Sequence, residues 1–231
     1  MPSGSQLPLA VNLRDGADFE GFLVGENAAA VAAARALEPG VGYFWGEEGS
    51  GRSHLLQAAC GEAGRAGWRC AYLPLASPGL TPDHLGGLDT LDLVALDDID
   101  AVTGRDDDWE HALFHLYNRL HDNRRRLLVS AATSPAELPV RLPDLRSRCG
   151  WGLVFRLQRL DETGLRRALT LRAGRRGLVL PEEVLDYLLR RLPRDPKTLF
   201  DLLEHLDRAS LAAKRRLTIP FVREQLDSLP P

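Results

Sequence analysis

"VGYFWGEEGSGRSHLLQAACGEAG", residues 41–64, reads as a short strand, a glycine-rich turn and a helix. Val41 to Trp45 form an apolar and aromatic run that ends at a glycine, and the residues from Ser53 onward have helical spacing. Between them "GEEGSGRS", Gly46 to Ser53, has the frame of a phosphate-binding loop, GxxxxGK(S/T), with Arg52 where lysine is expected. Gly46, Gly49 and Gly51 let backbone N–H groups around Ser50 converge on phosphate oxygens without obstruction by Cβ, and the following helix offers its positive N-terminus. The Ser53 hydroxyl is placed for Mg²⁺. A plain glycine turn is the alternative.

Outward from this stretch the alternation repeats. "RCAYLPL" (69–75) reads as a strand, "LDLVALDDID" (91–100) as a strand running into acids, "DWEHALFHLYNRLHDN" (108–123) as an amphipathic helix and "RRLLVSAA" (125–132) as another strand. Upstream, "NAAAVAAARAL" from Asn27 is a helix that stops at "EPG". Strands alternating with helices predict an α/β fold with a parallel sheet, and ligands in such sheets sit at the carboxyl ends of strands. Asp97 and Asp98 lie at such an end. One carboxylate suits a magnesium shell and its neighbour suits orienting a water; an exposed acidic turn continuing into Asp100 is the alternative.

After about residue 157 the pattern changes. Segments 161–177, 181–192, 195–214 and 218–226 are helical and separated by Pro, Gly and Asp. The expected organisation is a flexible tail over 1–18, an α/β nucleotide-binding domain over 19–157 and a small all-helical domain over 158–231.

Charge is segregated. Residues 1–120 carry 18 acids and 7 bases, whereas residues 121–231 carry 14 acids and 22 bases, so a net charge of -3 hides halves of -11 and +8. Such asymmetry suits a molecule whose ends meet opposite faces of other molecules, and a solvated surface of biased composition is the alternative. Of the 29 bases, 27 are arginine, which gives Arg52 a bland explanation; still, a planar guanidinium fork is not a compact ammonium. Arg124 to Arg126 are candidate DNA contacts, with a solvated helix end the plainer reading. Cys60, Cys70 and Cys149 have neither CxxC spacing nor His partners, which points away from a metal site or a disulfide framework. No run of about 18 apolar residues occurs, and the first residues lack signal-peptide character, so a soluble, cytoplasmic protein without membrane association is expected.

"FEGFLVGEN", "GEEGSGRSHL", "LDLVALDDID", "EHALFHLYNRL" and "LRSRCGWGLVF" together resemble, in order and spacing, the DnaA-related AAA+ family of bacterial replication proteins. Within it they resemble most the regulatory inactivators, which share the GRSH loop and the later "LDRAS" and "LTIPFV". The resemblance covers residues 19 to about 225. It implies an AAA+ parallel-sheet domain followed by a helical lid, holding ADP (or ATP) with Mg²⁺. Val24 and Gly25 would contact adenine, and Gly49 to His54 would wrap the phosphates. Ser53 and Asp97 would hold magnesium, Arg194 would face the nucleotide as the second sensor, and Asp195 would cap the next helix. Arg148 would be an arginine finger acting in a neighbouring subunit's site, with Arg146 the alternative. The family's polar first-sensor residue aligns with Ala132, which implies inefficient hydrolysis in cis unless Ser130 or Thr133 substitutes.

The resemblance does not extend to the initiator's helix-turn-helix DNA-binding domain, which implies an adaptor. The tail "QLPLAV" is similar to the motif by which such inactivators bind the sliding clamp, the beta subunit of DNA polymerase III. Gln6, Leu7 and Leu9 match, while Ala10 and Val11 depart from the usual proline and leucine or phenylalanine. Implied partners are therefore the initiator DnaA and the clamp, with DNA met mainly through the clamp and self-association left open. Burying two leucines contributes about 3 to 6 kcal/mol, short of the roughly 8 kcal/mol of micromolar affinity, so the tail alone should bind weakly.

Overall fold

The computed structural model describes residues 17–36 and 38–228. The chain divides into two compact units, one ending at Arg159 and the other starting at Leu160.

The first unit is built on five parallel strands: β1 (Gly40–Trp45), β2 (Cys70–Pro74), β3 (Leu93–Asp97), β4 (Arg126–Ala131) and β5 (Leu153–Arg156), in the order β2-β3-β4-β1-β5. Register aligns the carboxyl ends: Trp45 lies opposite Ala131 and Arg156, and Pro74 opposite Asp97. The glycine loop after β1 and the acids after β3 thus leave the same margin of the sheet.

Central strands are buried on both faces, and the two-residue period divides their side chains between two cores. Val94, Leu96, Leu127 and Val129 pack with Leu113, Leu116 and Tyr117 of α3 (Asp107–Asp122) and with Leu145 of α4 (Pro143–Cys149). Leu93, Ala95, Leu128 and Phe44 pack on the other face with Leu55 and Leu56 of α2 (Arg52–Arg65) and Val31 of α1 (Ala28–Arg35). The α3 helix begins where Asp106 accepts a bond from Asp108 N, and Asp107, Asp108 and Glu110 in its first turn complement the helix dipole.

Strand β5 escapes the sequence reading. It is a four-residue edge strand with Leu153 51% exposed, so it lacks both the length and the alternation that mark a strand. Gly152 admits it to the sheet, because a Cβ there would lie 2.2 Å from the Val41 carbonyl oxygen. Immediately downstream, Gln158 N donates to Asn27 Oδ1 at 2.8 Å and Asn27 Nδ2 donates to the Gln158 carbonyl at 3.0 Å. This part-buried pair fixes the entry to α1 against the exit from the sheet.

The second unit holds α5 (Glu162–Arg175), α6 (Glu182–Arg191), α7 (Pro196–Ala213) and α8 (Ile219–Ser228). The middle helices are apolar on two sides. Leu185, Leu189, Leu199 and Leu203 meet Leu165 and Leu169 of α5, while Val184, Leu188, Leu202 and Leu206 meet Phe221 and Val222 of α8. Among the described residues no helix is long and apolar enough to cross a membrane.

Asn27→Ala should lower stability by about 1 to 3 kcal/mol, since it strands the Gln158 amide and carbonyl in a part-buried site. Urea denaturation would register this as a lower midpoint at unchanged slope.

Candidate nucleotide site

The loop after β1 is shaped by close approaches. A Cβ on Gly46 would lie 2.6 Å from the Leu157 carbonyl oxygen, and one on Gly51 would lie 2.9 Å from the Phe22 ring. Gly51, at φ 92°, is also the left-handed residue from which α2 departs. The first-turn N–H groups of that helix, from Arg52, Ser53 and His54, have no acceptor within the helix. Ser50 is 5% exposed and among the described residues its Oγ has no hydrogen-bond partner, an orphan inside the loop that a phosphate oxygen would satisfy. The loop therefore fits a nucleoside phosphate.

Arg52 lies across the mouth of the loop. Its Nη1 donates to the Gly46 carbonyl, and its Nη2 donates to Asp98 Oδ1 at 2.9 Å. Asp98 is held in a left-handed backbone conformation, φ 55° and ψ 57°, and its amide donates to Ser130 Oγ at 2.9 Å. Burial and the neighbouring Asp97 raise its carboxyl above the ordinary range, and the Arg52 guanidinium opposes them. The water-orienting carboxylate expected from sequence is thus an ion-pair partner of Arg52 in this structure.

Asp97 is 2% exposed and has a hydroxyl on each oxygen: Ser130 donates to Oδ1, and Tyr72 to Oδ2 at 2.6 Å. Gln57 Nε2 donates to the Tyr72 hydroxyl at 3.1 Å, and the Ser53 side chain lies on the same side. Burial, then the Asp97 charge, pushes the Tyr72 phenol well up, so it stays a donor. Ser53, in the first turn of α2, and Asp97, at the end of β3, thus flank the Tyr72 hydroxyl. As an oxygen-only pair they fit Mg²⁺, whose preference is for hard oxygen ligands. The polar group beside the acids comes from Ser130 of β4, while the Ala132 amide donates to Asp100 Oδ1 at 3.2 Å.

The expected adenine-side residues lie close by in the chain. Val24 is 37% exposed, Gly25 has φ 50°, and Asn27 N donates to the Val24 carbonyl at 2.8 Å. His54 joins this segment to the loop, with Nε2 2.8 Å from the Asp18 carbonyl oxygen and its ring edge-on to Phe22 at 5.3 Å.

Arg148, near the end of α4, has its guanidinium 3.6 Å from the centre of the Trp151 ring, while its Nε donates to Asn118 Oδ1 of α3 at 2.7 Å. Among the described residues its terminal nitrogens make no hydrogen bond. Arg146 instead turns back to donate to the Val140 carbonyl at 2.6 Å. Arg194 belongs to the second unit, where it pairs with Glu162 at 2.8 Å; the adjacent Asp195 caps α7 by accepting from Thr198 N. The candidate clamp-binding residues Gln6, Leu7, Leu9 and Val11 lie outside the described residues.

Tyr72, Gln57 and Trp151 carry parts of this arrangement that the sequence reading did not assign. Tyr72 and Ser130 had a usable signal, for each is a polar side chain inside a strand buried on both faces.

Residues 86–156 match the family described as the bacterial DnaA ATPase domain, and residues 161–226 match the Hda lid domain. Domain III of the Thermotoga maritima replication initiation protein DnaA is similar in structure, with 22% identity and TM-score 0.76, over 94% of this chain and 99% of that one. AMPPCP-bound DnaA from Aquifex aeolicus is 25% identical with TM-score 0.64, over 84% of this chain and 66% of that one. The T. maritima RuvB branch-migration motor shares the fold at 17% identity and TM-score 0.61, over 90% and 68%. The chain thus spans about two thirds of the length of these last two.

Burial holds the Cys149 and Cys70 thiols up to about 11 and Cys60 higher still. At pH 8 well under about one thiol in a hundred is then ionised. A thiol reagent at pH 8 should react slowly with the native protein and rapidly with all three thiols in guanidinium.

Proposed function

Starting from an AAA+ protein related to DnaA and Hda, we propose that this chain regulates replication initiation as a nucleotide-holding adaptor. It docks on the DNA-loaded sliding clamp through residues 6–11 and presents Arg148 to ATP bound by the initiator DnaA. In its own site Gly46, Gly49, Ser50, Gly51, Arg52, Ser53 and His54 hold the phosphates of ADP. Val24 and Gly25 border the base, and Arg194 serves as second sensor. Ser53 and Asp97 hold Mg²⁺, which when bound neutralises phosphate charge.

The observation that carries this reading is the presentation of Arg148. Its guanidinium is stacked on Trp151 and aligned by Asn118, so its orientation is set while its terminal nitrogens remain available for a phosphate. An arginine finger supplied in trans accelerates hydrolysis by about 10³ to 10⁵, or about 4 to 7 kcal/mol of barrier. In the chain's own site, the Arg52–Asp98 pair supports retention over turnover, because it engages the carboxylate that would otherwise orient water.

A second reading, a self-sufficient ATPase using Asp98 to position water, draws on the raised proton affinity of that carboxyl. It requires turnover by the purified protein alone.

Contact with DNA through the 124–126 arginines is not part of the proposal. Arg125 pairs with Asp92 at 2.7 Å, and Arg126 turns inward to donate to the Ala33 carbonyl at 2.7 Å.

Arg148→Ala should reduce DnaA ATP hydrolysis in the presence of DNA-loaded clamp to the level without this protein, leaving its nucleotide and clamp binding intact. Unchanged stimulation would sink the finger assignment. Leu7→Ala with Leu9→Ala should abolish clamp binding in a pull-down on clamp-loaded DNA; retained binding would show that another surface makes the contact.

A further inference from the structure

Glu110 is 1% exposed, plays no part in the nucleotide site, and makes no ion pair among the described residues. Its carboxylate instead collects backbone donors from two loops. Gly104 N donates to Oε1 at 2.7 Å, Arg141 N approaches Oε1 and Oε2 at 3.1 and 3.0 Å, and Leu142 N donates to Oε2 at 2.7 Å. A buried carboxylate without a cation is costly unless such donors meet it, and bonds to a charged acceptor are the strong ones. The two loops are also pressed together, since a Cβ at Gly104, φ 75°, would lie 2.4 Å from the Pro139 carbonyl oxygen.

The helix that leaves the second loop gives this knot its meaning. Pro143 opens α4 directly after Leu142, and α4 carries Arg148. At the other end of the short helix, Arg148 Nε is bonded to Asn118, and its guanidinium lies 5.6 Å from the centre of the Phe114 ring as well as over Trp151. Glu110, Phe114 and Asn118 are spaced i, i+4, i+8, which sets them one above another along a single face of α3. That face holds α4 at its start through Glu110 and at its end through Phe114 and Asn118. Arg141 adds an exposed tie to α3, its Nη1 3.0 Å from Asp107 Oδ1.

We infer that Glu110 is a positioning residue for Arg148: by fixing the loop that enters α4, it sets where the guanidinium is presented to a partner's phosphates. The inference rests on the arginine-finger reading above. The reach of α4 then depends on hydrogen bonds made by its loop, and a small displacement of a catalytic group costs rate steeply; about 1 Å is worth on the order of 100-fold.

Glu110→Gln tests this. The amide keeps the shape but places an NH₂ against one set of N–H donors, releasing part of the loop. Stimulation of DnaA ATP hydrolysis should fall about 10- to 100-fold, with clamp binding and the variant's own nucleotide affinity unchanged. With 5-fluorotryptophan incorporated, the Trp151 ¹⁹F resonance, assigned by Trp151→Phe, should move as it does in Arg148→Ala, while Trp45 and Trp68 stay in place. A general loss of stability moves no single tryptophan in this way.

If Glu110→Gln fails to fold, Leu142→Pro replaces it. Leu142 has φ -80°, which proline accepts, so that variant deletes one donor to Glu110 and leaves the carboxylate in place. It should lower stimulation and shift Trp151 in the same direction. Full stimulation or an unmoved Trp151 resonance, in whichever variant folds, overturns the inference. If Arg148→Ala itself leaves stimulation unchanged, the finger reading fails; if Arg148→Ala abolishes it and Glu110→Gln does not lower it, the positioning role alone fails.

Discussion

The buried carboxylate of Asp97 is the constraint around which the first unit is organised. A charged side chain at the end of a strand buried on both faces must find donors, and it finds them on both neighbouring strands, Tyr72 of β2 and Ser130 of β4. Three adjacent strand ends are thereby tied at one level. Ser130 Oγ also accepts from the Asp98 amide, which helps to hold that residue in its left-handed conformation and to aim its carboxylate at Arg52. Sheet register, loop shape and the ion pair at the loop's mouth are in this sense one connected network.

Arg52 is intelligible within that network. A guanidinium can bond a carbonyl and a carboxylate at once, and here it spans Gly46 and Asp98. An ammonium on a shorter, rounder head has no such fork. The substitution that breaks the loop's usual pattern is therefore matched by a partner at the end of β3, and it need not be traced only to a composition rich in arginine.

Much of this was legible from residues alone. The strand, glycine turn and helix of 41–64, the acids ending β3 and the four lid helices follow from period and punctuation, because each is long or strongly patterned. Strand β5 was not, since its place depends on a glycine that lets backbone approach backbone and on pairing with a strand over a hundred residues upstream. The site divides the same way. Gly46, Gly49, Gly51, Ser53, Asp97 and Asp98 announce themselves by motif and context. Tyr72, Gln57 and Ser130 become partners only once parallel pairing stacks β2, β3 and β4, and the ion pair between Arg52 and Asp98 is visible only in the fold.

The pairing of Asn27 with Gln158 joins residues 131 apart in sequence. Contacts of such separation form late, because chain entropy must be lost before they return any bonding. The segment leading into α1 is tied to the glycine loop by His54 and Phe22, and the bonds to Gln158 add a second tie that exists only once the chain beyond the last strand is in place. The surface that would border a base is thus completed by a residue that follows the last strand of the sheet.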